Sequence, residues 1–151
     1  MSAVPRAYRA AGSGWGIDPK LLFAVALTES GRPAPWSGLI LPWPWTMNIQ
    51  GRAMFYPSRA KAELDFGRAL GRGISPDVGL MQINWYWHNS KLTEATAFDP
   101  WRNLTAGARI LRECRSRASG WWDAVGLYHS SRPARAARYC EKVKKAYNAL
   151  L

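Results

Sequence analysis

The chain has 151 residues, 48% of them hydrophobic, and a formal net charge of +11 at pH 7. This length suits one domain with one core, and the composition excludes a disordered chain. No apolar run approaches the roughly 20 residues of a membrane span, and the positive charge predicts attraction to polyanions such as nucleic acid, acidic lipid or anionic wall polymers.

The amino-terminal residues predict a short basic helix at 3–12, which Gly12-Ser13-Gly14 is expected to end. The first nine residues lack the hydrophobic region of a secretory signal. Three alternatives follow from this: a mature start after processing, release by lysis, or a cytosolic location.

Residues 18–31 predict a buried helix. Asp18 is a suitable amino-terminal cap and Pro19 suits the first helical position, whereas Gly31 and Pro33 favour an end. Almost every residue between them is apolar, which indicates burial on most sides.

Glu29 is the exception within this apolar helix. Its helical neighbours one and two turns back are Val25, Ala26 and Leu22. Low dielectric disfavours the charged form of a carboxylate, so a glutamate here is expected to keep a proton that it can donate as a general acid. The alternative is a partly exposed carboxylate that pairs with Arg32.

The next stretch, 32–45, is rich in proline and predicts a stiff loop that displays Trp36, Trp43 and Trp45. A β-hairpin is predicted at 46–56 with its turn at Gly51. Further helices are predicted from Ser58 to Gly71, from Asp99-Pro100 to about Ala118, at 121–129, and from Arg132-Pro133 to about Ala149. No repeat or linker is present, so the prediction is one mostly helical domain, residues 1–151.

Ten acidic residues are present, and elimination narrows the candidates for catalysis. All but Glu29 and Asp77 are interpreted as helix caps, dipole partners, surface ion pairs or loop residues: Asp18, Asp99 and Asp123, Glu63 with Arg59, Asp65 with Lys61, Glu113 with Arg109 and Arg117, Glu141 with Lys145, and Glu94. For Asp77, a cap on the turn that begins at Gly79 is the favoured interpretation.

A second notable stretch is Gly79-Leu-Met-Gln-Ile-Asn84. Glycine allows a ligand to approach the backbone closely, and the Gln82 amide can bind sugar hydroxyls or an acetamido group. Glu29-Ser30, this stretch and Gly126-Leu-Tyr128, in that order, resemble the lytic transglycosylase domain related to goose-type lysozyme. The resemblance runs from about Asp18 to Tyr139.

A narrower resemblance rests on residues around these motifs. Asp77-Val-Gly-Leu-Met-Gln-Ile-Asn, then Asp99-Pro, then Asn103-Leu-x-x-Gly107-Ala108-x-Ile-Leu111 is similar to the branch associated with conjugation and secretion systems. The third motif departs from the family, since Tyr128-His129-Ser130 stands where Tyr-Asn-x-Gly is usual.

The resemblance implies a mainly α, lysozyme-like α+β fold with a small β-hairpin and a glycan-binding groove. Glu29 matches the single catalytic acid/base, and Ser30 matches the serine that orients substrate or the glutamate. Gly79, Gln82 and the backbone near Met81 match the substrate-contacting motif. Tyr128 matches the tyrosine that hydrogen-bonds near the catalytic carboxylate.

The implied reaction is cleavage of the β-1,4 bond between N-acetylmuramic acid and N-acetylglucosamine, with formation of 1,6-anhydro-N-acetylmuramic acid and without metal or cofactor. The expected partners are peptidoglycan strands and a conjugation or secretion apparatus, with no nucleic acid and no integral membrane segment. A monomer in the periplasm or cell envelope is expected, with a phage-released enzyme as the alternative. Two rival functions stay open. One is a lysozyme-type hydrolase, such as a phage endolysin, that uses Asp77 or another acid to activate water. The other is a non-catalytic module that binds glycan or nucleic acid.

Aromatic side chains fit a glycan substrate because sugar rings offer apolar faces. Trp43 and Trp45 are candidate substrate-binding residues, with a core role equally open for them and for Trp36. For Trp85 and Trp87 the core is favoured.

Cys114 and Cys140 lie on two predicted helices that are expected to pack together. A disulfide between them is the favoured prediction and would add roughly 3–4 kcal/mol by loop-closure entropy. Two free buried thiols are the alternative. A zinc site that combines them with His88 and His129 fails on spacing.

Overall fold

Helices dominate the computed structural model, which describes residues 3–150 and is 55% helical. Within that range the helices are α1 (Arg6–Trp15), α2 (Pro19–Ser30), α3 (Arg59–Gly71), α4 (Trp85–His88), α5 (Pro100–Ser116), α6 (Trp121–His129) and α7 (Pro133–Ala149). The strands are β1 (Gly31–Pro33), β2 (Ile40–Pro42), β3 (Thr46–Ile49), β4 (Arg52–Phe55), β5 (Asp77–Val78) and β6 (Ile83–Asn84). The predicted mainly α fold with a small β part is confirmed.

Two compact units make up the described residues. We call Glu29–Gly107 the central unit, and the described residues before Glu29 and after Gly107 the terminal unit. The boundaries fall inside α2 and α5, so both helices contribute to both units. The prediction of a single domain at 1–151 stays a prediction, and its residues 1, 2 and 151 lie outside the described residues.

In the terminal unit, α1 continues through the glycines that were expected to end it. Gly12 is buried, and a Cβ at this position would lie 2.6 Å from the Ile17 carbonyl oxygen. Glycine at position 12 therefore allows close packing and does not break the helix. The helix ends at Gly16, which has a left-handed φ of 66° and donates its N–H to the Gly12 carbonyl.

The predicted amino-terminal cap of α2 is present. Asp18 Oδ1 accepts a hydrogen bond from the Lys20 backbone N–H at 2.9 Å, which satisfies a donor that the helix leaves unpaired. Residues 21–26 are all buried, as the apolar run predicts.

The central unit contains all six described strands. β1 and β2 pair antiparallel, with Gly31 opposite Pro42. The prediction of a loop without regular structure at 32–45 is therefore wrong in part. Pro33 and Pro42 are tolerated because each lies at the end of an isolated two-stranded ribbon, where a missing N–H costs little.

The predicted hairpin at 46–56 is confirmed as β3 and β4, joined at Gln50 and Gly51, both with positive φ. β3 also pairs with β5, and β5 pairs with β6, which gives the order β4-β3-β5-β6. This sheet fixes both ends of the four-residue segment Gly79–Gln82, which joins β5 to β6. The Gly79 N–H donates to the Thr46 carbonyl at 2.8 Å.

Aromatic side chains form the core beside α3, whose predicted cap is also present: Ser58 Oγ accepts from the Lys61 N–H. The Phe66 ring meets Trp85 at 4.9 Å and Phe98 at 5.6 Å, both edge-on. The core prediction holds for Trp85 and is wrong for Trp87, which is 73% exposed. Trp87 follows Trp85 by two residues in α4, and this spacing directs the two side chains to different faces of the helix.

Two predicted ion pairs have different partners. Glu141 pairs with Lys144 at 3.6 Å and not with Lys145, and Asp65 pairs with Arg68 and not with Lys61. Within residues 3–150, no helix is both long and apolar enough to span a membrane.

We expect Phe66→Ala to lower the free energy of unfolding by about 3 to 5 kcal/mol, because it removes a fully buried ring and leaves a cavity. Urea denaturation measures this change. Leu64→Ala on the same helix is the control, because Leu64 is 57% exposed and its loss is expected to cost within about 0.5 kcal/mol. Equal effects of the two substitutions would contradict this description of the core.

Candidate active site

Glu29 lies in the last turn of α2 and is half-buried. Leu22, Val25 and Ala26, one and two turns back on the same helix, are fully buried. The guanidinium of Arg32, the alternative partner of Glu29, lies over the rings of Trp43 and Phe55, at 4.9 and 5.0 Å.

Ser30, the next residue, fixes the end of α2 within the central unit. Its side chain is buried, and its Oγ donates to the Leu80 carbonyl at 2.7 Å. Its own carbonyl accepts the N–H of Trp43 at 3.0 Å. Ser30 thus connects the helix end that carries Glu29 to the Gly79–Gln82 segment and to the residue that follows β2.

The Gly79–Gln82 segment needs two residues in left-handed conformations, Gly79 at φ 80° and Gln82 at φ 48°. A Cβ at position 79 would collide with the Asn103 amide, so only glycine fits there. Gln82 is held by its Nε2, which donates to the carbonyls of Thr46 at 3.1 Å and Gly79 at 3.0 Å. Its two donors are therefore used internally, and its Oε1 is the group left to accept a hydrogen bond.

The side chain of Asn103 on α5 bonds to the backbone of the Gly79–Gln82 segment and of the residue before it. It is 1% exposed. Its Oδ1 accepts the Met81 N–H, and its Nδ2 donates to the carbonyls of Val78 and Ala97, each at 2.9 Å. The sequence included Asn103 only in a motif, and the signal for its bracing role was an amide in an otherwise apolar helical stretch. Gly107, one turn on, leaves room for Met81, because a Cβ there would lie 2.5 Å from that side chain.

Asp77 was predicted to cap the turn that begins at Gly79. In the structure it is instead a residue of strand β5. It lies opposite Asn84 in the β5–β6 pair, and its Oδ1 accepts from Asn84 Nδ2 at 3.0 Å. Burial raises the pKa of Asp77, and the hydrogen bond from Asn84 opposes this rise in part.

Three tryptophans form a row in the central unit. The ring centroids of Trp36 and Trp43 are 6.2 Å apart, and those of Trp43 and Trp45 are 5.7 Å apart. Trp36 is 72% exposed. Trp43 Nε1 donates to the Tyr56 carbonyl at 2.8 Å, whereas the buried Nε1 of Trp45 has no acceptor among the described residues. Trp43, the middle member of the row, is the residue whose N–H binds the Ser30 carbonyl.

Tyr128 lies in α6 and is partly exposed, in the terminal unit. Its predicted hydrogen bond near the catalytic carboxylate stays a prediction. His129, in place of the usual asparagine, stacks on Tyr139 with ring centroids 4.5 Å apart.

The predicted disulfide is absent, because Cys114 and Cys140 are both free thiols. Cys114 Sγ accepts at 3.7 Å from Nη2 of Arg117, the residue that directly follows α5. Cys140 Sγ instead contacts the Trp122 carbonyl at 3.5 Å and lines a hollow of about 460 Å³ between α6 and α7. Burial raises the pKa of both thiols, which disfavours the thiolate that oxidation requires.

A profile of the transglycosylase SLT domain family matches residues 6–149. The chain belongs to this family. The resemblance to a lytic transglycosylase catalytic domain is thereby confirmed, whereas the conjugation branch is untested. SLT domains are lytic transglycosylases that act on peptidoglycan, which indicates the cell envelope or periplasm as the place of action.

Comparison of this SLT domain with curated proteins and with solved structures gave no match. Among residues 3–150 no group of three or more His, Cys, Asp or Glu side chains is placed to hold a metal ion.

We expect Asn103→Ala to destabilise the SLT domain by about 3 kcal/mol, because three buried backbone groups lose their partner. Thermal or urea unfolding measures the change. Thr105→Ala on the same helix is the control, since its hydroxyl bonds only the helix's own carbonyls at Trp101 and Arg102, and we expect a change within about 0.5 kcal/mol. A cost for Asn103→Ala no larger than that of the control would show that the amide does not brace the segment.

We expect two thiols per chain to react with a thiol reagent under denaturing, non-reducing conditions, because both cysteines are free thiols and each has its own contacts. A mass two hydrogens lower, with no reactive thiol, would contradict the free state. The reduced protein is the reference for the full count.

Proposed function

We propose that this SLT domain cleaves the β-1,4 bond between N-acetylmuramic acid and N-acetylglucosamine and releases 1,6-anhydro-N-acetylmuramic acid, with Glu29 as the only acid/base. The observation that carries the proposal is the position of Glu29. It is half-buried at the end of a helix with a fully buried apolar run, and its neighbour Ser30 bonds to the Gly79–Gln82 segment.

The other carboxylates support this choice by elimination. Apart from Asp77 and the exposed Glu94, each accepts a hydrogen bond or pairs with a cation in a way that explains it structurally: Asp18 with Lys20 N–H, Glu63 with Arg59, Asp65 with Tyr56, Asp99 with Arg102 N–H, Glu113 with Arg109, Asp123 with Ser119 N–H, and Glu141 with Lys144.

The chemistry needs one proton donor that later becomes an acceptor. Glu29 donates its proton to the glycosidic oxygen as the bond to the muramic acid C1 breaks. The acetamido group of the substrate stabilises the cationic centre, in place of the second carboxylate that other glycosidases use. The glutamate, now ionised, removes the proton from the 6-hydroxyl, whose oxygen closes the 1,6-anhydro ring. No water is consumed.

The same surface offers contacts for a glycan strand. Trp43 and Trp45, together with the exposed Trp36, offer aromatic faces for sugar rings. Gln82 offers an amide oxygen to sugar hydroxyls. From the family motif we add Tyr128 and the segment that carries Gly79 and Met81 to the proposed substrate-binding residues. The buried Ser30 hydroxyl, which donates to the Leu80 carbonyl, acts by positioning this segment.

The finer biological setting is part of this proposal. The motif resemblance supports a monomer that works in the periplasm or envelope beside a conjugation or secretion apparatus. The rival function, a hydrolase with Asp77 as the base that activates water, is disfavoured. Asp77 lies opposite Asn84 in the β5–β6 pair, and its Oδ1 already accepts a hydrogen bond from Asn84 Nδ2.

We expect Glu29→Gln to abolish nearly all turnover, because an amide can neither donate nor accept the proton, while Asp77→Asn keeps most of the activity. Clearing of purified peptidoglycan measures the rates, and mass spectrometry identifies the products. Anhydro-muropeptides are lighter by one water than the products of hydrolysis. Circular dichroism checks that each variant is folded.

Three results would refute the proposal. Near-wild-type clearing by a folded Glu29→Gln protein would exclude Glu29. Loss of activity in a folded Asp77→Asn protein, with hydrated products from the wild type, would favour the hydrolase. Binding of peptidoglycan by the wild type without any cleavage would favour the binding module.

A further inference from the structure

The positive charge is concentrated in one unit. Thirteen of the 21 basic residues but only four of the ten acidic ones belong to the terminal unit, a net charge of +9. The central unit, which contains Glu29, carries eight basic and six acidic residues, a net charge of +2. The charge excess therefore lies mainly outside the unit that carries the proposed acid/base.

Within the terminal unit, α7 presents four of these cations on one face. Arg135, Arg138, Lys142 and Lys145 follow one another at intervals of three, four and three residues, which places them in one line along a helix. All four are exposed. We call them the cationic row, and it extends over about 15 Å at the helical rise per residue.

The cationic row is not neutralised within the described residues. Other exposed cations have carboxylate partners, such as Arg59 with Glu63 and Arg109 with Glu113. No carboxylate in residues 3–150 pairs with any member of the row, and the single acid on α7, Glu141, pairs with Lys144. Like charges three and four residues apart destabilise a helix, so the row carries a repulsion that a bound anion relieves.

The row also affects a neighbouring histidine. Burial lowers the pKa of His129, and the charges of Lys142 and Arg135 lower it further. The His129 ring stacks on Tyr139 of α7. His129 therefore reports on the electrostatic potential at the row.

The exposed side chains of α7 narrow the class of ligand. In residues 133–149 they are Pro133, Ala134, Arg135, Ala137, Arg138, Glu141, Lys142, Lys145, Asn148 and Ala149. No large apolar side chain is available to enter a bilayer, and no aromatic ring is available to stack with nucleic-acid bases. A line of cations without either feature fits a linear polyanion that has no bases.

We propose that the cationic row is a binding site for a linear, base-free phosphodiester polymer, in which successive phosphates contact successive cations. The site is separate from the chemistry at Glu29 and does not depend on the proposed reaction. It supplies the protein with a second attachment to an anionic matrix, besides any contact with the glycan.

The test uses poly(glycerol phosphate) as the probe and the double variant Arg138→Gln/Lys142→Gln. We expect the affinity to fall about tenfold and the dependence of log K on log salt to become shallower by roughly 1.4, because two phosphate contacts are lost. The control is Arg52→Gln/Arg72→Gln in the central unit, two exposed cations whose loss removes the same charge. Its affinity is expected to stay close to that of the wild type.

A second readout is local to the site. The chain has two histidines, so NMR titration of the wild type with and without the polymer is expected to raise the pKa of His129 and leave His88 unchanged. An equal loss of affinity in both double variants, or an unchanged His129 titration, would overturn the proposal in favour of diffuse attraction. Tighter binding to a single-stranded oligonucleotide with the same number of phosphates, or to phosphatidylglycerol vesicles, would overturn the ligand class.

Circular dichroism confirms that the variants are folded, and their peptidoglycan cleavage is expected to match the wild type in the absence of polymer.

Discussion

One buried amide determines the shape of the Gly79–Gln82 segment. Asn103 bonds to the backbone at Val78, Met81 and Ala97, and it fills the space in which a side chain at position 79 would stand. Desolvated backbone groups are costly unless they are paired, so this single side chain keeps an irregular segment inside the protein. Asn103 contacts the same segment in which Gly79 and Gln82 adopt left-handed conformations.

The sequence predicted the regular elements well, because their signals are local. Caps at Asp18 and Ser58, the glycine turn at 51 and the apolar run in α2 each operate within a few residues. The failures occurred where tertiary contacts override local preference. Gly12 has the signature of a helix end but serves close packing against the Ile17 carbonyl.

The sequence motifs identified residues of the candidate site, but the sequence predicted little of how those residues contact one another. Glu29 and the Gly79–Gln82 segment were named from the sequence, yet the inward use of the Gln82 donors and the bracing by Asn103 were not. Both depend on residues far apart in the chain, such as Thr46 and Gly79 for Gln82. The cysteine prediction failed for a related reason, since the positions of Cys114 and Cys140 along the chain do not determine which helices pack together or which side chains meet.

The junction between α2 and β1 has a mechanical consequence. The last residue of α2 is Ser30 and the first residue of β1 is Gly31, so no linker separates this helix from the ribbon formed by β1 and β2. The N–H of Trp43, which follows β2, donates to the Ser30 carbonyl and so connects the second strand of the ribbon to the end of α2. A displacement of the ribbon, whose connecting loop carries Trp36, is therefore transmitted to the last turn of α2, which carries Glu29.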